Sequence, residues 1–235
     1  MLCAVLLLWA TSAFAVLPPA RTPNLAPNRG QVWVAKVIYP TLARAAPSTA
    51  ARGLGFVSTV SPWGTPVALL VRGAHVDAAG LPWVRVLLNK RPNGVAAWID
   101  AEDAVLYRDP WWISVSRAAR ELKVYREGQL QRVFAVVVGK PSTPTPAGLF
   151  AVFAELREPD PAEFLGSWVL PLTAHSEVLS QFDGGDGQVA LHGRGGASLA
   201  DPLGTARSHG CVRLANEAID WIASHVPVGT PVLVS

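Results

Sequence analysis

Ser208-His209-Gly210-Cys211-Val212-Arg213 decides the reading of this chain. It sets a thiol two residues after an imidazole, with a glycine between them. A second histidine stands upstream in Leu191-His192-Gly193. The chain has two cysteines, Cys3 and Cys211. Cys3 lies in an apolar leader-like run, so a processed chain keeps Cys211 with no partner for an internal disulfide. Most unpaired cysteines are small core residues. His209, Gly210 and Arg213 are not core-like neighbours, and they suit a nucleophile better.

A free thiol is mostly protonated at neutral pH and needs a base within hydrogen-bond reach. His192 and His209 are the candidates. In an extended loop the side chains of His209 and Cys211 diverge, whereas His192 arrives from a different strand and can approach the sulfur directly. His192 is therefore the expected base. Gly210 lets the backbone turn, so that its own N–H and that of Cys211 point at one spot where an oxyanion forms. Arg213 has two open readings of equal weight: a fork for a substrate carboxylate, or a salt bridge holding the loop.

Around this centre the sequence reads as mainly β. Short apolar runs broken by turns occupy residues 32–108: Val32-Trp33-Val34, Val67-Ala68-Leu69-Leu70-Val71, Trp83 to Leu88 and Ala97-Trp98-Ile99. Arg91-Pro92-Asn93-Gly94 supplies a turn. Such spacing predicts a small barrel or sandwich. A second domain is expected over 111–235, after Asp109-Pro110. Its strands are read at 112–115, 121–125, 133–138, 149–153, 168–170, 189–191 and 232–234, with a hairpin turn at Glu127-Gly128. Pro141 to Gly148 reads as a stiff loop. Two helices are expected, one over Ser176–Phe182 and one from Asn216 as N-cap, where Ala218, Ile219, Ile222 and Val226 recur at helical spacing. Residues 151–187, with Trp168 and Asp183-Gly184-Gly185-Asp186-Gly187, are read as either a lid or an ordinary surface loop.

The 235 residues suffice for one large domain or two small ones. Half are apolar and 16% are charged, which excludes a disordered chain. A net charge of +3 is too small to imply nucleic acid, and no nucleic-acid partner is expected. Residues 2–17 form an apolar run ending in Ala13-Phe14-Ala15, the small-x-small pattern of a signal-peptidase site. The run is shorter than the roughly 20 residues of a membrane span. It lacks basic residues after Met1, so an uncleaved anchor is the alternative. An exported protein of the cell envelope is expected, with residues 18–31 as a Pro- and Asn-rich linker. Nothing in the sequence fixes an oligomeric state.

Leu191-His192-Gly193, followed by Ser208-His209-Gly210-Cys211-Val212-Arg213-Leu214, resembles the catalytic signature of the L,D-transpeptidases (YkuD-type). Thr143-Pro144-Thr145-Pro146-Ala147-Gly148-Leu149-Phe150 resembles that family's approach loop and strand. The likeness extends over about 111–235 and takes in Asn216 and Val228 to Val232. It implies a β-rich catalytic domain with a capping helix after the nucleophile, with Cys211 as nucleophile and His192 as proton acceptor and donor. By the same resemblance the Gly193 carbonyl orients the imidazole, Ser208, His209 and Gly210 form the loop around the oxyanion site, and Arg213 helps bind substrate. The implied reaction is acyl transfer on peptidoglycan stem peptides: a tetrapeptide stem forms a thioester on Cys211, releases D-alanine, and is passed to an amine of a neighbouring stem. Carbapenem-type β-lactams are implied as inhibitors, and no metal or organic cofactor is implied. Leu81 to Ile99 resembles bacterial SH3-like domains.

Other readings compete. A cysteine carboxypeptidase that trims stems shares the same acyl-enzyme. A wall-binding module with a retired site would keep the fold without the reaction. A zinc peptidase would use His192, His209 and Cys211 as ligands, although no HExxH or paired C-x-x-C is present. Trp33, Trp83 and Trp98 are read as core in preference to sugar-stacking platforms. His75, His175 and His225 are read as structural, with His175 also placed to line a pocket.

Overall fold

The computed structural model describes residues 25–181 and 184–235. The expected signal segment 1–17 and linker residues 18–24 lie outside the described residues. Strands β1 (Trp33–Val37), β2 (Thr41–Arg44), β3 (Gly53–Val57), β4 (Ala68–Val76), β5 (Pro82–Leu87), β6 (Ala96–Asp100) and β7 (Ala104–Arg108) come first. They form one seven-stranded sheet in the order β3-β2-β6-β5-β4-β1-β7. Along β6, Ala97 and Ile99 turn inward while their neighbours are half-buried, the period-2 signature of a strand with one covered face. The turn read at Arg91-Pro92-Asn93-Gly94 is present between β5 and β6, with Gly94 at φ +78°.

After Asp109-Pro110 come β8 (Trp111–Ser116), β9 (Glu121–Arg126), β10 (Gln129–Ala135), β11 (Val138–Gly139), β12 (Gly148–Ala151), β13 (Leu156–Arg157) and β14 (Trp168–His175). Then follow β15 (Gln188–His192), β16 (Ala206–Ser208), β17 (Val212–Arg213), helix α1 (Asn216–His225) and β18 (Pro231–Val234). The last strand lies parallel to β8 and antiparallel to β12, which ties the chain's end into a five-stranded sheet β10-β9-β8-β18-β12. A four-stranded sheet β13-β14-β15-β17 carries the region of interest. Glu127 and Gly128 both take positive φ, the backbone that a two-residue hairpin between right-twisted strands demands. No sheet among the described residues mixes strands from the two sides of Asp109-Pro110. The two sides do share an apolar seam, where Val34, Leu70 and Leu87 pack with Trp112 and Ala151.

The architecture is mainly β, with one α-helix among the described residues, placed just after Cys211 where the capping helix was expected. That helix buries Ala218, Ile219 and Ile222 against the sheet core, and Val226 closes its end. Two details differ from expectation. Residues 176–181 are not helical. The Ser176 hydroxyl accepts the backbone N–H groups of Val178 (3.3 Å) and Leu179 (3.0 Å), a local turn that competes with helical hydrogen bonding. Phe182, the far end of that expected helix, lies outside the described residues. Asn216 is also not the cap. Ala215 holds that position, and the Asn216 amide turns away to bind other segments.

Candidate active site

The site is built where β15 ends and β17 begins. These strands are parallel, with Leu191 opposite Val212 and His192 opposite Arg213. The residue that precedes β17, Cys211, is thereby drawn beside the last residues of β15. Cys211, His192, His209 and Arg213 line one cavity of about 400 Å³, together with Phe164 and Leu165. Gly193, Ser208 and Gly210, the other expected site residues, do not face it. They shape it from behind.

His192 is almost wholly buried, with 2% of its surface exposed. Its Nδ1 lies 2.7 Å from the carbonyl oxygen of Gly193. A carbonyl only accepts, so Nδ1 carries the proton and the neutral ring keeps its lone pair on Nε2. Burial, followed by the Arg213 charge, depresses the imidazole to a pKa of about 4, against the weaker pull of the Gly193 and Leu165 carbonyls. Cys211 is a free, half-buried thiol. Burial pushes it up, opposed by the Ala190 N–H and by the positive charge of Arg213. The resting pair is therefore a neutral thiol and a neutral imidazole.

The 208–211 loop is held from inside and outside. Ser208, fully buried, donates its hydroxyl to the Cys211 carbonyl at 2.6 Å and accepts the Gly210 N–H at 3.1 Å. The Gly210 N–H is thus engaged within the loop in this structure. Gly210 sits at φ +130°, a backbone shape open to glycine at little cost, and that shape lets the chain reverse between Ser208 and Cys211. From outside, the Thr145 hydroxyl donates to the Gly210 carbonyl at 2.8 Å and accepts the Gly139 N–H at 2.9 Å. The Lys140 N–H and the Thr143 hydroxyl both donate to the Ser208 carbonyl. The stiff Pro-Thr loop is therefore the brace of the cysteine loop. Thr143 and Thr145 carry that role; their stretch stands out in the sequence by its family resemblance, but nothing there marks these two hydroxyls as the brace.

His209 is exposed at the cavity rim, with Nε2 3.3 Å from Lys140 Nζ. Partial burial and the Lys140 and Arg213 charges lower its pKa. Arg213 is buried and donates from Nη1 to Asp201 Oδ2 at 2.6 Å, so the salt-bridge reading of this residue is realised. Its guanidinium also lies over the Phe164 ring at 4.8 Å, and its buried Nε has no hydrogen-bond partner. The open substrate reading thus retains an unused donor. Asn216 Oδ1 accepts the N–H groups of Arg194 (2.9 Å) and Ser167 (3.3 Å), fixing the segments on either side of the His192–Gly193 corner.

Trp168 begins β14 and packs against the main core, so it is no lid. No three His, Cys, Asp or Glu residues among the described ones are placed to hold a metal ion. Trp83 is buried and donates its indole N–H to Asp77 at 3.1 Å, which leaves no face for a sugar. His175 is buried with Nε2 3.1 Å from Asp186, and His225 stacks on Trp221 at 4.4 Å.

Residues 110–234 match the model of the YkuD family, the L,D-transpeptidase catalytic domain. The chain belongs to this family. The YkuD protein of Bacillus licheniformis is 31% identical over 126 residues, which cover 54% of this chain and 66% of that protein. The chain therefore spans about two thirds of that relative's length. An L,D-transpeptidase of Mycobacterium smegmatis superposes with a TM-score of 0.46 at 18% identity, covering 86% of this chain and 93% of that one. The L,D-transpeptidase LdtMt1, solved with imipenem, aligns at 18% identity with a TM-score of 0.44 over 69% of this chain and 92% of its own.

Proposed function

We propose that the chain is a peptidoglycan L,D-transpeptidase that works through a thioester on Cys211. The observation that carries this is the parallel register of β15 and β17, which sets a sulfur and an Nδ1-protonated imidazole on the same cavity. His192 Nε2 takes the thiol proton as the sulfur attacks the carbonyl carbon between the diamino acid and the terminal D-alanine of a tetrapeptide stem. The negative charge that develops on that oxygen is met by the Cys211 N–H, with Arg213 close by. The imidazolium gives its proton to the leaving D-alanine amine, and the C–N bond breaks as the thioester forms. An amine of a second stem then attacks the thioester carbonyl and passes its proton to His192. The new amide forms as the C–S bond breaks and the thiol is restored.

Gly193 holds the base by its carbonyl, Ser208 and Gly210 fix the loop, and His209 lines the rim that the acceptor crosses. The same acyl-enzyme supports hydrolysis when water replaces the amine. Residues 32–108 are proposed as an SH3-like domain, and residues 1–17 as an export signal or anchor that delivers the protein to the cell envelope. Carbapenem-type β-lactams are proposed to acylate Cys211, since a strained amide carbonyl suits the same attack.

The test is mass analysis of the protein incubated with tetrapeptide stems. Cross-linked dimers with free D-alanine support transfer, shortened monomers support hydrolysis, and unchanged stems sink both. Cys211→Ala must abolish product and carbapenem adduct alike.

A further inference from the structure

The wall of the catalytic cavity that faces the first sheet is built from Ser176, Leu179, Gly187 and Gln188. Little secondary structure holds it. Residues 176–181 are neither helix nor strand, and their local bonds are the Ser176 hydroxyl turn and the Ser176 N–H to the Gly187 carbonyl at 2.8 Å. Isolated backbone carbonyls in such a segment need outside donors. They find them on the β5–β6 turn of the N-terminal sheet. Arg91 donates from Nη1 to the Ser176 carbonyl at 2.5 Å, and from Nη2 to the carbonyls of Leu179 (3.0 Å) and Asp186 (2.7 Å). Asn93 pairs with the backbone of His175 in both directions, accepting its N–H at 2.8 Å and donating to its carbonyl at 2.7 Å, as a neighbouring strand would. Gln188 donates to Asn89 Oδ1 at 3.2 Å. Gly187, at φ +76°, lacks the side chain that would collide with the Leu179 carbonyl and crowd Arg91.

One guanidinium therefore gathers the carbonyls of Ser176, Leu179 and Asp186, which lie 3 to 10 residues apart along the chain, and each belongs to the cavity wall or its neck. The apolar seam between the two sheets takes in Leu87, the last residue of β5 before this turn. We infer that the Asn89–Asn93 turn of the N-terminal unit is a working part of the catalytic cavity, and that Arg91 is a positioning residue for the peptide that binds there. The inference deepens the transpeptidase reading and rests on it for the identity of that peptide. It makes the N-terminal unit more than a tether, because the substrate wall takes its shape from it.

The experiment uses the full chain with Arg91→Ala and Arg91→Lys. Hydrogen exchange of the 175–181 amides reads the wall directly and needs no turnover. It should accelerate in Arg91→Ala. The KM for a tetrapeptide stem should rise about ten-fold, the equivalent of one lost charge-assisted hydrogen bond, with kcat nearly unchanged. Alkylation of Cys211 by iodoacetamide, which does not use the wall, should keep its rate. Arg91→Lys should recover little of the KM, because an ammonium cannot span the three carbonyls as a planar fork does. Unchanged exchange at 175–181, or a loss of kcat and alkylation together with an unchanged KM, would overturn the inference. Accelerated exchange in a protein that leaves stems untouched would overturn the substrate reading alone and leave the wall assignment standing.

Discussion

Thr145 donates its hydroxyl to the carbonyl of Gly210 at 2.8 Å and so fixes, from a separate loop, the residue beside the nucleophile. Thr145 is fully buried, and the same hydroxyl satisfies the Gly139 N–H. Thr145→Val keeps the shape and removes both bonds, leaving a buried donor and a buried acceptor without partners. The expected cost is about 1–3 kcal/mol of stability. The loop's freedom should also slow carbapenem acylation about ten-fold, since a displacement of even 1 Å from the attacking geometry is expensive. Urea unfolding and adduct formation followed by mass measure the two effects. A stable Thr145→Val protein with unchanged acylation would show that the brace is dispensable.

The electrostatics of Cys211 and His192 predict an unusual pH profile. Burial raises the thiol and lowers the imidazole to about 4, so the pair stores no ion pair at rest. His192 acts as a base only when unprotonated. Acylation should therefore hold steady through mildly acidic pH and fall only as pH drops through about 4, when the imidazole becomes protonated. An acid limb centred between pH 6 and 7 would instead mean that the His192 imidazole keeps its ordinary basicity and is not depressed by burial.

Arg213 is both a loop clamp and a candidate ligand for substrate, and two variants separate the roles. Asp201→Asn removes the carboxylate from a buried guanidinium. It should cost about 1–3 kcal/mol, less than for a fully enclosed pair because Asp201 is a quarter exposed. Arg213→Met removes the cation and its unused Nε donor as well. If the guanidinium binds the stem's carboxylate, the KM should rise about ten-fold in Arg213→Met beyond any change in Asp201→Asn. Equal KM values in the two variants would leave Arg213 with a clamping role only.

The centre of the site was legible because its chemistry is dense in residue types. A lone thiol, a nearby glycine and a histidine from another strand leave few arrangements, and His192 does reach the cavity from β15. Helix α1 was legible from the spacing of Ala218, Ile219 and Ile222. The supports were not. β17 is two residues long and has no period to read, so its parallel register with β15 is set by tertiary packing alone. Thr145 looks like any threonine in a proline-rich loop, and Asn216 looks like a helix cap although its amide serves two other segments. The expected helix at 176–182 failed because its first serine turns the backbone locally and its carbonyls are claimed by Arg91, 85 residues earlier. Donors that arrive from so far along the chain leave no trace in a local window.

Glu155 gives the last prediction, away from the site. Its Oε1 is buried with no partner, and burial raises the carboxyl to about 7. Tyr107, raised to about 12 chiefly by burial, also feels the carboxyl of Asp109, which burial raises to about 6, and that of Glu155. For a carboxyl raised on folding, the unfolded chain ionises first. As pH climbs from the unfolded value near 4.5 to about 7, the folded state loses ground, and above 7 the deficit is constant. Glu155→Gln removes this titration. The variant should match the wild type at pH 4 and exceed it at pH 8 by about 1–2 kcal/mol, a figure reduced because the carboxyl is only partly enclosed. The difference between the two proteins isolates Glu155 from Asp109, which titrates in both. Urea unfolding at the two pH values measures it, and a gain of the same size at pH 4 and pH 8 would mean that the benefit comes from packing and not from the buried charge.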